Sequence, residues 1–158
     1  MIEINNDFLA QLFHQAEGNE RLRQNFDLRT SGEDTSQRML NALLPGTEVP
    51  IHRHEDTTET VVCLCGKMDE VIYRQATHDE AMGEGRLPQG MNGELPRGMD
   101  AQDVMRPQQC FVEVQRIRLC PAEGKYGCQV PKGAWHTVEV IEPSVIFEAK
   151  DGNYSAPL

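Results

Sequence analysis

Gly46-Thr-Glu-Val-Pro-Ile-His52-Arg-His54-Glu-Asp-Thr-Thr-Glu59-Thr-Val-Val-Cys-Leu-Cys-Gly66 is the stretch that decides how the rest of the chain is read. In a strand, residues two apart share a face, so His52 and His54 point the same way. Their Cα atoms then lie about 6.6 Å apart, close enough for two imidazoles to converge on one metal ion at about 2.0–2.1 Å. Thr57 and Thr58 lead into a returning strand that can present Glu59 from the neighbouring position. Further on, Pro131-Lys-Gly133-Ala-Trp-His136 reads as a Pro/Gly turn feeding a strand that opens with a third histidine. Three imidazoles and a carboxylate form a mixed N/O donor set suited to Fe, Mn, Ni, Zn or Co.

Outward from this stretch, short strands alternate with Gly, Pro and Asp turns. The expected strands are 37–44, 47–51, 58–65 and 68–74, and then 110–119, 127–131, 135–141 and 144–149. Eight short strands with little helix between them point to a mostly β protein, a closed barrel or double-sheet jelly roll. Near the start, Phe8, Leu9, Leu12, Phe13 and Ala16 fall at helical period. Asn6 or Asp7 is placed to cap this helix, and Gly18 with Asn19 to end it. The expected organisation is an N-terminal helix and extension over 1–34, packing on a barrel over 35–158. Residues 77–109 break the pattern: these 33 residues hold five Gly, three Pro and four Met but only Leu87, Leu95 and Val104 among Leu, Ile, Val and Phe. That cannot bury a core and reads as a long insertion between two strands.

The chain of 158 residues suits one domain. Fifteen basic against 25 acidic side chains give a net charge of −10, which repels phosphate backbones and anionic lipid. No nucleic-acid or membrane partner is expected, and no basic, apolar leader opens the sequence, so a cytoplasmic protein is expected. The five cysteines (Cys63, Cys65, Cys110, Cys120 and Cys128) include no C-x-x-C pair and read as reduced, buried small hydrophobes.

The spacing Gly46-x5-His52-x-His54-x4-Glu59-x6-Gly66 resembles the first motif of the cupin superfamily at every fixed position. Pro131-x-Gly133-x-x-His136 is similar to the heart of the second. Two positions depart: Gly124 is offset by one, with Lys125 in its expected place, and Val140 stands where the motif closes on Asn. The resemblance implies a cupin double-stranded β-helix (jelly-roll) barrel with a short N-terminal helix. It also implies one divalent transition metal held by His52, His54, Glu59 and His136. Arg21–Phe26, Ser36–Leu43 leading into Pro45-Gly46, and Val145–Lys150 followed by Gly152-Asn-Tyr154 are similar to a narrower group, the WbuC-type cupin-fold metalloproteins. That group's name points to bacterial cell-surface polysaccharide gene clusters, and cupins commonly form homodimers.

Strand parity carries Val61, Cys63 and Cys65 to the face of Glu59, and Val138 and Val140 to the face of His136. Arg38, Asn41, Glu148 and Lys150 are polar residues on barrel strands, and a polar residue facing inward needs a partner. With Cys63 and Tyr126 they are the substrate-contacting candidates. His14 and His78 read as surface residues. The leading expectation is a metal-dependent enzyme, of isomerase or epimerase type, acting on a small polar molecule such as a sugar derivative. A mononuclear iron oxygenase and a non-catalytic sugar-binding or sensing module are the alternatives.

Overall fold

The computed structural model describes residues 1–77 and 110–152; the 77–109 segment therefore lies, from residue 78 on, outside the described residues. Helix α1 (Asn6–Glu17) is followed by strands β1 (Arg23–Asp27), β2 (Ser36–Leu43), β3 (Glu59–Ala76), β4 (Cys110–Leu119), β5 (Gly127–Val130) and β6 (Trp135–Asp151). All pairings are antiparallel, in the order β1-β2-β6-β3-β4, with β5 on β3.

The long strands β3 and β6 make the fold. The first part of β3 lies between β5 and the end of β6, with Val61 opposite both Cys128 and Glu148. Its second part lies between β4 and the start of β6, with Met68 opposite both Leu119 and Val140. Between the two parts the register slips, from Cys63 opposite Ile146 to Cys65 opposite Val145 and then to Lys67 opposite Glu142. Such bulges bend a strand sharply. Leu43, Val61, Cys63 and Ile146 from one part share a single buried cluster with Met68, Leu119, Val138 and Val140 from the other. The sheet is therefore folded over on itself, and these residues line its inside. This is the jelly-roll architecture expected from the turn-punctuated strands.

Several local expectations are corrected. Segments 58–65 and 68–74 are one strand, as are 135–141 and 144–149, because Gly66 (φ +90°) makes a bulge and not a hairpin. No room exists for a side chain there: a Cβ on Gly66 would lie 2.1 Å from the carbonyl oxygen of Pro143. Segment 47–51 is not a strand. Pro50 has no N–H to give a ladder, Thr47 Oγ1 donates to Leu22 O at 2.7 Å, and the backbone pairs again only at His52. Strand β1, unanticipated because Phe26 is its one large apolar residue, extends the sheet beyond β2.

Helix α1 is capped by Asn5, not Asn6 or Asp7: the Asn5 side chain accepts from the Phe8 N–H at 3.0 Å, and Asp7 sits inside the first turn. Leu12 and Ala16 pack on Leu40, Ala42 and Val145, which face outward from the barrel. Phe8 meets Phe26 edge-on at 5.1 Å between centroids. The helix thus covers the outer surface of the sheet near the bend. No described helix is long and apolar enough to cross a membrane.

Candidate metal centre

The histidine pair is placed by backbone pairing. His52 N–H donates to His136 O at 3.0 Å and His136 N–H to His52 O at 2.8 Å, while Gly133 N–H donates to His54 O at 2.7 Å. The Pro131–Ala134 turn, with Gly133 at φ +78°, is in this way fastened along the 52–54 segment. Arg53 lies between the two histidines in sequence, and its guanidinium sits over the Trp135 ring, 4.6 Å from the centroid. A cation over an indole face is attractive by about 0.5–2 kcal/mol, which helps hold the segment down.

The three imidazoles converge, with one ligand atom from each of His52, His54 and His136 lying within 4.8 Å of the others. His52 Nδ1 lies 2.9 Å from Pro50 O and His136 Nδ1 lies 3.0 Å from Ala134 O. A carbonyl oxygen can only accept, so both Nδ1 atoms donate, and the Nε2 atoms are the ones turned toward the centre. Metal-bound histidines are commonly oriented in this way by a second hydrogen bond. Burial, with His136 adjacent, pushes His52 down to about 4, which keeps it neutral and able to ligate.

Glu59 completes a negative corner. Its Oε2 lies 3.3 Å from His136 Nε2 and 3.4 Å from His54 Nε2. Burial opposes its charge, but contacts with His136 and His54 and the field of Lys150 hold its carboxyl well below the ordinary carboxylate range. A carboxylate and ring nitrogens this close call for positive charge between them, a proton or a cation, and the donor set of three imidazoles and a carboxylate fits a divalent transition metal.

Lys150 Nζ stands 3.0 Å from His54 Nδ1 and 3.1 Å from its Nε2. Burial lowers the pKa of this ammonium. Two residues back on β6, Glu148 accepts from Asn41 Nδ2 at 2.8 Å. Burial, with Glu59 nearby, pushes the Glu148 carboxyl up to about 8. Asn41, Glu148 and Lys150 therefore lie on the inner face with the histidines. Cys63 shares that face but at the apolar end: its Sγ–H donates to Cys65 O at 3.3 Å, and burial pushes the thiol up to about 11, as suits a packing residue.

Two of the named candidates are elsewhere. Arg38 pairs with Asp34 and lies opposite Ala149, on the outer face. Tyr126 is 63% exposed; its carbonyl, accepting from the Cys63 N–H at 2.7 Å, is what binds it to the barrel. Cys65, expected beside Cys63, turns outward to the helix-side cluster because the intervening bulge reverses strand parity. All five cysteines are free thiols.

Glu70 was not anticipated. It is 1% exposed, lies opposite Ile117 and Val138, and neither carboxylate oxygen has a hydrogen-bonding partner among the described residues. Burial, with Glu59 and Glu148 close by, pushes it up to about 9. The signal was present in the sequence: Glu70 falls at an inward position between Met68 and Ile72, where strand alternation calls for an apolar residue.

A family described as "Domain of unknown function (DUF6016)" matches residues 4–82, half of the chain. The chain belongs to that family. The match takes in α1, β1, β2, the His52/His54/Glu59 segment and the whole of β3, and ends before His136. No curated protein matches the sequence. Among solved structures, the chain is similar to KdgF from Halomonas sp., at 12% identity over 84% of this chain and 81% of that one, with a TM-score of 0.50. TT1209 from Thermus thermophilus is 18% identical over 96% and 98% of the two chains, also with a TM-score of 0.50. A cupin domain, that of Schizosaccharomyces pombe Cnp3, is matched at 10% identity over 83% and 65%, with a TM-score of 0.45. At these identities the likeness is one of fold, a mostly β, antiparallel, cupin-like jelly roll.

Proposed function

We propose that this protein is a metal-dependent enzyme acting on a small polar molecule, a sugar derivative being the class that fits best. The observation that carries the reading is the pair of Nδ1–H bonds from His52 to Pro50 O and from His136 to Ala134 O. They turn two Nε2 atoms toward the cluster that His54 and Glu59 complete. His52, His54, His136 and Glu59 would hold the ion. Bound there, a divalent metal supplies Lewis-acid polarisation of a carbonyl or hydroxyl oxygen and lowers the pKa of bound water.

The chain's own side chains supply the rest. Lys150 offers an ammonium beside His54, placed to stabilise negative charge that develops on a substrate oxygen. Glu148, oriented by Asn41, stands one strand step below it as a group able to take or give a proton. The apolar end of the barrel, formed by Cys63, Met68, Leu119 and Ile146, excludes water from behind the site. The sequence likeness to WbuC-type cupin metalloproteins supports a place in bacterial cell-surface polysaccharide synthesis, as a cytoplasmic homodimer.

The test is the metal content of protein purified without chelator. About one transition-metal ion per chain is expected for the wild type, and a loss of most of it in His52→Ala and in His136→Ala. A wild type that holds no metal, or variants that hold as much as the wild type, would overturn the reading.

A further inference from the structure

The inside of the barrel is layered along its strands. At one end stand the three histidines, Glu59 and Lys150. At the other lies the apolar cluster of Cys63, Met68, Leu119 and Ile146. Between them is a polar layer. Along β3, Glu70 falls between Ile72, which is opposite His136, and Met68, which is opposite Val140. Along β6, Glu148 falls between Lys150 and the buried Ile146. Asn41 reaches into the same layer from β2 to bond Glu148.

This layer is poorly satisfied from within. Both oxygens of Glu70 lack a hydrogen-bonding partner among the described residues, and so, toward the histidine end, does Oε1 of Gln37, which is 3% exposed and lies opposite Lys150. A buried polar group without a partner costs about 1–3 kcal/mol. Met or Leu at position 70 would continue the alternation and remove that cost. A side chain that breaks the local rule at a cost to the fold, inside the site's own compartment, marks a functional position.

We propose that Glu70 is a ligand-contacting residue, whose carboxyl hydrogen-bonds a hydroxyl of a neutral polyhydroxylated molecule, a sugar or sugar alcohol, lying between the histidine cluster and the apolar end of the barrel. The inference deepens the proposed function and rests on it for the orientation of the ligand. Neutral carboxyl and amide groups both donate and accept, as hydroxyls do, so Glu70, Glu148 and Asn41 match a ligand with several hydroxyls. Burial of the two carboxyl groups favours that form. An anionic group at this depth meets two carboxyls. A cationic group meets Lys150 on the same face, beside a site built for another cation.

The experiment uses the full chain loaded with zinc, its zinc content measured, and titrated calorimetrically with three sets of probes. D-xylose, D-glucose, xylitol and sorbitol are neutral, D-glucuronate is anionic and D-glucosamine is cationic. Binding of one or more neutral probes is expected, weakened by about tenfold or more in Glu70→Met and by much less in Glu70→Gln, which keeps a donor and an acceptor. Unchanged affinity in Glu70→Met, a preference for a charged probe, or no binding of any neutral probe by the zinc-loaded chain would each overturn the proposal. A wild type that takes up no zinc yet binds neutral probes in a Glu70-dependent way leaves this inference standing and removes the metal reading. Glu70→Gln, nearly isosteric, guards against loss of binding through misfolding.

Discussion

Replacing Glu70 by Gln tests whether a neutral carboxyl is buried in the barrel, because its effect on stability depends on pH in a fixed direction. In the folded chain the carboxyl is raised from 4.5 to about 9, mainly by burial. Between those values the folded protein keeps a proton that the unfolded chain has released. The associated stability is fully present below pH 4.5 and is lost as pH rises to about 9, with a slope of about 1.4 kcal/mol per pH unit. From pH 5 to pH 8 that amounts to about 4 kcal/mol, a large share of the roughly 5–15 kcal/mol of an ordinary domain. Gln does not titrate, so the variant escapes this loss. Near pH 5 the two proteins should be about equally stable, and by about pH 8 the variant should be the more stable by several kcal/mol. Glu148 titrates in the same direction in both proteins and largely cancels in the difference. Urea unfolding can be followed through Trp135, the chain's one tryptophan, at four pH values with chelator present so that metal binding adds no slope of its own. A difference between the two proteins that stays constant across the range would refute the burial of a neutral carboxyl at this position.

Gly66→Ala should be among the most damaging single-methyl substitutions in the chain, because its Cβ would lie 2.1 Å from Pro143 O at a positive φ. A loss of about 4 kcal/mol or more is expected, read as a lowered urea midpoint or as failure to accumulate folded protein. Asn5→Ala removes the acceptor for the Phe8 N–H and should cost about 1 kcal/mol without changing metal content. Chelation should lower the melting temperature of the wild type, since a ligand at about 100 times its dissociation constant stabilises by about 2.7 kcal/mol, and should leave His136→Ala unmoved. Equal chelator shifts in both proteins would argue against the site.

Alternation of apolar residues, turn signals and the fixed spacings around His52 and His136 made the fold class and the convergence of three histidines legible in the sequence. Three features were not, and each has a local physical cause. The continuity of β3 and β6 was hidden because Gly66 and Pro143 resemble turn residues, whereas here they meet at a bend with no room for a side chain. The outward turn of Cys65 was hidden because the register slip between Cys63 and Cys65 reverses which face is inward. Parity can be counted only within an unbroken ladder. Arg38 looked like an inward polar residue, but it is one step out of phase with Gln37, Met39 and Asn41, and so reaches Asp34 on the outside.

Glu70 shows the converse. It lies beyond the bulge, in a stretch where parity from Met68 holds through its pairing with Ile117 and Val138. Its inward position was therefore readable, although a charged residue on a strand more often faces solvent. An acid buried on the inward face of a barrel must be paired, neutralised or used. Glu59 meets the histidines and Glu148 meets Asn41. Glu70 meets no hydrogen-bonding partner among the described residues. The three acids thus differ in what meets them: Glu59 is ionised beside imidazoles, Glu148 is braced by an amide, and Glu70 is unbraced. The acid left to bond a ligand is the one next to Met68 of the apolar end, and a buried hydrogen bond there discriminates sharply between a molecule that carries the matching hydroxyl and one that does not.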